Sequence, residues 1–403
     1  MENSKVSLGK IKLLYAIMFA FTGIMVFGFS FLTGKNYEGI LRNTIVSLIL
    51  SGVVVFMLLD AIGRGKEGFS YDNIYKKNRF FVVYMIMVVL ACLFSLVPNI
   101  FWPYMSLFVI LALFSNTEIG LVSGLGFVMI SVMLEESPDN GELFMYVIAG
   151  AVALALFRDL KENTAIGLPV FISLLMQAVL LVAYNVLFQN RTFSLSILVQ
   201  PVLNLMLNLI ILLIFLNMFG VYVIRKSNDV YMDINDAEYP LLVSLKEKDK
   251  DEYFRAIHTA YLAERIAMGL GFNARAVKTC SYYHRIGVLD GSLKWADMEH
   301  YYIENNFPEE AIEFLREYLE PEKGKAKSKE ALAVQLSETV IATIMYMVKQ
   351  DKDVKIDYDK MIDDLFDKKE SEGDIRNYAI TYYEYDKMRK ILKKEKLYYD
   401  FLR

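Results

Sequence analysis

Ser281-Tyr282-Tyr283-His284-Arg285-Ile286-Gly287-Val288 closes a helix-patterned run that begins near residue 273. In such a helix, a histidine followed directly by an aspartate would place an imidazole beside a carboxylate, two ligand types that a divalent ion accepts. Here Arg285 holds the second place, and its guanidinium is a permanent cation with no lone pair to give. The stretch therefore belongs either to a metal site or to a site that has exchanged its metal for fixed positive charge. A plainer reading of His284 is a core imidazole hydrogen-bonded within a bundle.

The sequence around this run is helical in pattern. Ala256, Ala260, Ala263, Ala267 and Leu270 mark one face of a helix over 252–270, and Gly271 fits its stop. Further helix signals cover 273–288, 295–305, 308–319, 329–349, 358–369 and 384–402. Pro308 opens one of them with Glu309 and Glu310 in its first turn, where the helix dipole favours acids. No sustained alternation marks a strand. Residues 246–403 thus read as an all-helical domain, reached through a polar linker at 225–245. The lysine-rich stretch 320–329 reads as a solvated connection, and the basic segment 387–396 as an amphipathic packing helix rather than a lipid contact.

Upstream the chemistry changes. The chain is 55% hydrophobic with a mean hydropathy of +0.33, yet residues 1–224 hold only 13 of its 43 Lys and Arg and 12 of its 47 Asp and Glu. A bilayer crossing needs roughly 20 mostly apolar residues. About eight such runs follow one another: 10–33, 42–62, 79–98, 100–115, 118–134, 142–157, 166–189 and 195–224. The first is too long for a cleaved signal peptide and lacks a small-residue cleavage site. An N-terminus on the inside places Lys5, Lys10, Lys12, Arg64, Lys66, Lys76, Lys77, Arg79, Arg158, Lys161, Arg225 and Lys226 on the cytoplasmic side. Only Lys35, Arg42 and Arg191 are left outside, beside Glu135-Glu136-Ser137-Pro138-Asp139. The positive-inside rule selects this topology, and an even number of spans then returns 225–403 to the cytoplasm.

Within the spans, Gln177, Asn185, Asn204 and Asn208 read as helix–helix hydrogen-bonding groups. Trp102-Pro103 reads as an interfacial anchor and bend. No buried charge pair marks an ion path, which argues against a transporter. The second half carries 30 basic and 35 acidic residues, a net charge of −5, which argues against a general nucleic-acid surface and a nucleic-acid polymer as partner while leaving room for a local basic pocket. Cys92 and Cys280 lie far apart and read as buried thiols.

Several motifs occur in a telling order. Leu262-Ala263-Glu264 precedes Tyr282-Tyr283-His284-Arg285-Ile286-Gly287, and Phe307-Pro308-Glu309-Glu310, Lys329-Glu330-Ala331 and Leu336-Ser337-Glu338 follow. With the membrane spans before them, they resemble the seven-transmembrane HD family, the bacterial cyclic-di-AMP phosphodiesterases. The resemblance runs roughly from Pro103 to the C-terminus. It implies a helical domain that holds two divalent metals, such as manganese or iron, and hydrolyses a phosphodiester with metal-bound hydroxide.

Carried over residue by residue, the implied ligand positions fall on Arg255, His284, Arg285, Lys294, Tyr318, Leu319 and Glu338. Only His284 and Glu338 among these are ligand types. The chain has three histidines, His258, His284 and His300, too few for the family's histidine-rich centre. His258 and Asp290 are the displaced candidates for a rebuilt metal site with His284 and Glu338. Arg255, Arg285 and Lys294 are candidates for anion binding, since arginine forks suit phosphate oxygens. Where family members carry a large extracytoplasmic domain after the first span, only residues 34–40 stand here.

The reading is a bacterial cytoplasmic-membrane protein, multi-pass with both termini cytoplasmic, bearing a catalytically degenerate HD-like domain. Regulation or scaffolding through another membrane or cytoplasmic protein is the expected role, with no cofactor of its own. Binding of cyclic-di-AMP without hydrolysis is a second role that this reading leaves open. An active phosphodiesterase with a rebuilt site and a purely structural membrane protein are the alternatives.

Overall fold

The computed structural model describes the chain except residues 1, 65–67, 72, 136–139, 159–165, 193, 323, 325, 352–353 and 401–403. Several residues singled out above therefore lie outside the described residues: Lys66, Lys161, and Glu136, Ser137, Pro138 and Asp139 of the acidic loop. The fold is all-α. One parallel bridge, Lys327 with Tyr378, is the β-type pairing recorded among the described residues. Two compact units divide the chain at Met1–Arg225 and Lys226–Arg403.

The first unit contains α1 (Glu2–Leu32), α2 (Tyr37–Arg64), α3 (Asn78–Phe94), α4 (Tyr104–Leu113), α5 (Thr117–Leu134), α6 (Asn140–Leu156), α7 (Gly167–Leu187) and α8 (Val199–Phe219). By length and composition Ile11–Leu32, Tyr37–Arg64, Thr117–Leu134, Gly167–Leu187 and the run Val199–Ile234 can each cross a membrane. Their amphipathicity is inverted. On α2 the buried stripe is Gly39, Asn43, Ser47, Ser51, Val54, Leu58 and Ala61, one turn apart, while Ile45, Ile49 and Phe56 are exposed. Small and polar groups inside with large apolar groups outside is how helices pack in lipid, where burying leucine gains little. This is a multi-pass helical membrane unit.

One expected span departs from the pattern. The run 100–115 is helical only over Tyr104–Leu113, ten residues and so about 15 Å at the usual rise per residue. Pro98 and Pro103 break the helix before it, and 95–103 is irregular save for a 3₁₀ turn at Asn99–Phe101. Backbone without helix is tolerated at membrane depth only where protein groups satisfy it. Trp102 Nε1 donates to Phe94 O (2.8 Å) and Val97 O (3.0 Å), and Asn204 Nδ2 donates to Ile100 O (2.8 Å) and Trp102 O (3.0 Å). Asn208 Oδ1 accepts from Ser106 N at 3.0 Å, capping α4. Trp102 is fully buried, so it is an internal brace and not the interfacial anchor expected. Phe108 of α4 sits between Gly124 and Gly150, where a Cβ on either glycine would stand 2.5 Å from its ring.

Charged groups separate to the two ends of the bundle. Lys35 Nζ donates to Glu135 O at one end (2.5 Å). At the other, Arg64 pairs with Asp60 (3.0 Å) and Glu118 (3.3 Å), and Asn116 Nδ2 donates to Gly68 O (2.7 Å).

The second unit begins where a linker was expected. Residues 225–245 instead supply α9 (Lys226–Ile234) and α10 (Pro240–Lys248). Tyr231, Ile234, Leu241, Leu242 and Leu245 recur at helical spacing and enter the core, and Pro240 at the first position fixes the start of α10. The unit continues with α11 (Lys250–Leu270), α12 (Ala274–Tyr283), α13 (Trp295–Glu304), α14 (Glu309–Leu319), α15 (Lys329–Gln350), α16 (Tyr358–Ser371), α17 (Tyr382–Lys394) and α18 (Lys396–Asp400). Asp249, Asn273, Ser328, Asp357 and Thr381 cap the starts of α11, α12, α15, α16 and α17, each accepting from a backbone N–H three residues on.

Although α15 is apolar enough to span a membrane, Leu332, Val334, Leu336, Val340, Ile341 and Ile344 are buried in the unit's own core. Its hydropathy is answered by α11, α12 and α14 packed around it. The basic segment 387–396 is a packing face, as expected. Arg389, Lys393 and Lys396 meet Asp367 (2.5 Å), Asp363 (2.6 Å) and Asp359 of α16.

Candidate functional site

Four helices bring the site together. Asp249 starts α11, which then presents Glu252 and Arg255 on one face, three residues apart. His284 stands at the end of α12. Its Nδ1 lies 3.1 Å from Cys280 O and 3.0 Å from Ser281 O, so that nitrogen carries the hydrogen and ties the ring to the helix end. Arg285 follows, in a turn that needs Gly287: a Cβ there would fall 1.8 Å from Ser292 O. Tyr318 comes from the end of α14 and Glu338 from the middle of α15.

Glu338 is the point on which these groups converge. Its Oε1 accepts from Arg255 Nη2 at 2.8 Å and lies 3.4 Å from His284 Nε2 and 3.6 Å from Arg285 Nη1. Its Oε2 accepts from Tyr318 OH at 2.9 Å. The Tyr318 ring also stands edge-on to His284, 5.3 Å between centroids. Glu252 takes Arg285 in a two-point grip, with Nη2 to Oε1 at 2.8 Å and Nε against Oε2. At 3.4 Å the His284–Glu338 contact is an ion-pair distance rather than a closed hydrogen bond, and Nε2 has no other partner.

Burial would raise the Glu338 carboxyl. The contact and charge of His284, the Arg255 charge and the Tyr318 hydroxyl outweigh it and hold the group at about 2, well below its ordinary 4.5. Burial first, and then the neighbouring Glu338 charge, push the Tyr318 hydroxyl well above its usual value, so it remains a donor. For Arg285, burial works against the charge, but Glu252 and Glu338 overcome it and the cation is strengthened.

Of the seven positions singled out, Arg255, His284, Arg285, Tyr318 and Glu338 meet in this cluster. Lys294 does not; it is exposed at the start of α13. Leu319 is half-buried against the hydrophobic core. The candidates for a rebuilt metal site are also held elsewhere. Asp290 is exposed and accepts from Tyr301 OH at 2.7 Å. His258 Nδ1 lies 2.6 Å from Tyr398 OH, with its ring parallel to Phe254. Glu252 was missed by the sequence reading. Its place three residues before Arg255 sets it on the same face of α11, but only the packing of α12 against that helix brings Arg285 to it.

In the cluster only His284 Nε2 and the two glutamates are of metal-binding type, and each glutamate is already engaged by a guanidinium. Among the described residues no group of three or more His, Cys, Asp or Glu is placed to hold a metal ion. Two guanidinium charges would also repel an entering divalent cation. This donor set does not fit the paired divalent metals that the resemblance implies. Beside the cluster an open groove of about 490 Å³ is lined by Arg255, Tyr318, Gln335, Glu338, Thr343 and Tyr346, among others.

No family model matches the chain, and no curated protein matches it. Among solved structures, the chain is similar to the HD domain of the L. monocytogenes phosphodiesterase PgpH. The two are 18% identical over 40% of this chain and 100% of that one, with a TM-score of 0.32.

Proposed function

We propose that the second unit is an HD-like regulatory or scaffolding module carried by a multi-pass membrane unit, and that it does not hydrolyse phosphodiesters. The carrying observation is the convergence of Arg255, His284, Arg285 and Tyr318 on Glu338. A dinuclear hydrolase needs lone pairs turned towards its metals so that they can share a bridging hydroxide. Here the lone pairs of Glu338 are spent on protein donors, and the cations sit in the protein itself. Two arginines are matched by two glutamates in a hydrogen-bonded plug. The competing reading of an active enzyme requires His258 and Asp290 to join His284, and each is engaged by a tyrosine away from the cluster.

The groove on which Arg255, Tyr318 and Glu338 open is the observation that favours the second reading, a cyclic dinucleotide bound without cleavage. Against it stands the pairing of both arginines, which leaves no uncompensated cation for phosphate.

The test is metal content and turnover of the purified full chain. Stoichiometric manganese or iron, or cyclic-di-AMP hydrolysis that depends on metal and is abolished by His284→Ala, would overturn the proposal. Absence of both, in protein that melts cooperatively, is the expected result.

A further inference from the structure

We infer that one water molecule is bound inside the membrane unit, between α2 and α5, as a fixed part of the bundle. A cavity of about 10 Å³ lies there, lined by Ser47, Ser51, Tyr84 and Ser123 among apolar neighbours that include Phe127. Ser51 and Ser123 are each 1% exposed, and neither Oγ has a hydrogen-bond partner at normal geometry.

Hydroxyls in this unit ordinarily satisfy themselves on their own helix. Thr22 donates to Met18 O (2.9 Å), Thr44 to Ile40 O (2.8 Å) and Ser115 to Leu111 O (2.7 Å). Ser51 and Ser123 do not bond back, and both line the cavity instead. Ser47 donates to Thr44 O at 2.8 Å, which leaves its lone pairs free to accept. The Tyr84 hydroxyl approaches Ser51 and Thr22.

Buried polar groups left without partners are costly in a medium that offers none. A buried water needs roughly 10–15 Å³ of accessible room and two to four polar partners. The cavity meets the lower bound of the first condition and supplies the second from two helices. It has no carboxylate to attract a cation and no space for a larger ligand. The water therefore accepts from and donates to Ser51 and Ser123, and joins α2 to α5 where no direct hydrogen bond is recorded between them at that level.

The test uses the full chain in lipid nanodiscs. X-ray radiolysis of a bound water generates hydroxyl radical in place, which oxidises side chains beside it even where bulk solvent does not reach. Tyr84 and Phe127 are expected to be oxidised, while the equally buried Tyr104 and Phe108 are not. Ser123→Val fills the cavity and should remove labelling at Tyr84 and Phe127. Labelling no greater than at Tyr104, or unchanged in Ser123→Val, overturns the inference.

Melting of alanine variants gives an independent reading should Ser123→Val fold poorly. Ser51→Ala and Ser123→Ala should each lower the melting temperature by stripping the water of a partner. With one serine gone the water has already lost its bridge between the helices, so the double variant should melt no lower than the worse single. Additive losses would show two separate hydroxyls with no shared water.

Discussion

Arg255 Nη2 and Glu338 Oε1 meet at 2.8 Å, a charge-assisted bond at the place where the sequence resemblance implies metal ligands. The pair joins α11 to α15, and the same carboxylate also draws in α12 through His284 and α14 through Tyr318. The first prediction concerns stability. Glu338→Gln keeps the shape but removes the charge from three cationic or potentially cationic neighbours. The full chain is expected to lose roughly 3 kcal/mol at neutral pH, on the scale of 1.36 kcal/mol per pKa unit. Denaturant melts of the two proteins check it, and an unchanged midpoint would show the network to be energetically idle.

The pH dependence of that loss has a definite sign. The Glu338 carboxyl sits at about 2 when folded against an ordinary 4.5, so the unfolded chain takes up its proton first as pH falls. The stabilisation is complete above about 4.5 and is lost progressively towards about 2. The gap between wild type and Glu338→Gln should therefore be full above about 4.5 and close across that window. A gap that stays constant from pH 6 to pH 2 would place the folded value elsewhere.

Much of this cluster was indicated by the family resemblance, whose implied ligand positions fall on residues of helices that the periodicity marks out. Arg255, His284, Arg285, Tyr318 and Glu338 each occupy such a position. Lys294 and Asp290 were not legible, because they flank the turn after Gly287, where no helical period fixes direction. Glu252 escaped because partner choice among charged residues depends on how helices are packed, not on spacing in one of them. The same limit applies to 225–245, whose polar composition hid apolar residues at helical spacing. At 100–115 a bend at Pro103 was expected, but hydropathy measured apolar length and not how short the helix after it would be.

The plug reading makes a claim about ligands. With Arg285 gripped by Glu252 and Arg255 by Glu338, cyclic-di-AMP should leave the melting temperature of the full chain unchanged. A ligand that prefers the folded state raises it in proportion to the logarithm of its concentration above Kd. A saturable rise that disappears in Arg285→Ala would reverse the assignment from plug to receptor.

Sidedness can be read with single cysteines, since Cys92 and Cys280 are both buried. Asn190 and Lys294 are exposed positions, one on the expected outer side of the bundle and one in the second unit. By the positive-inside rule, Asn190→Cys should react with an impermeant maleimide on intact cells. Lys294→Cys should react only after permeabilisation. The opposite pattern would invert the expected topology and place the second unit on the outer side.

The last prediction concerns the short helix within the membrane unit. Asn204 Nδ2 serves two carbonyls of the irregular segment, Ile100 O and Trp102 O, and its Oδ1 accepts from Asn208 Nδ2 (2.8 Å) and Gln177 Nε2 (3.3 Å). Asn208 in turn caps α4 through Ser106 N. Asn204→Leu is close in size but leaves two carbonyls without donors at a depth where neither water nor lipid replaces them. Unsatisfied buried groups cost about 1–3 kcal/mol each, so a loss of roughly 2–5 kcal/mol is expected. Asn185→Leu is the control. Its Nδ2 donates to Leu181 O, a carbonyl of its own helix, at 3.0 Å, so its loss should be much smaller. Melting of both variants in the same detergent decides the point. Equal losses would mean that Asn204 is one more helix–helix contact and that the segment before α4 is held by Trp102 and packing alone.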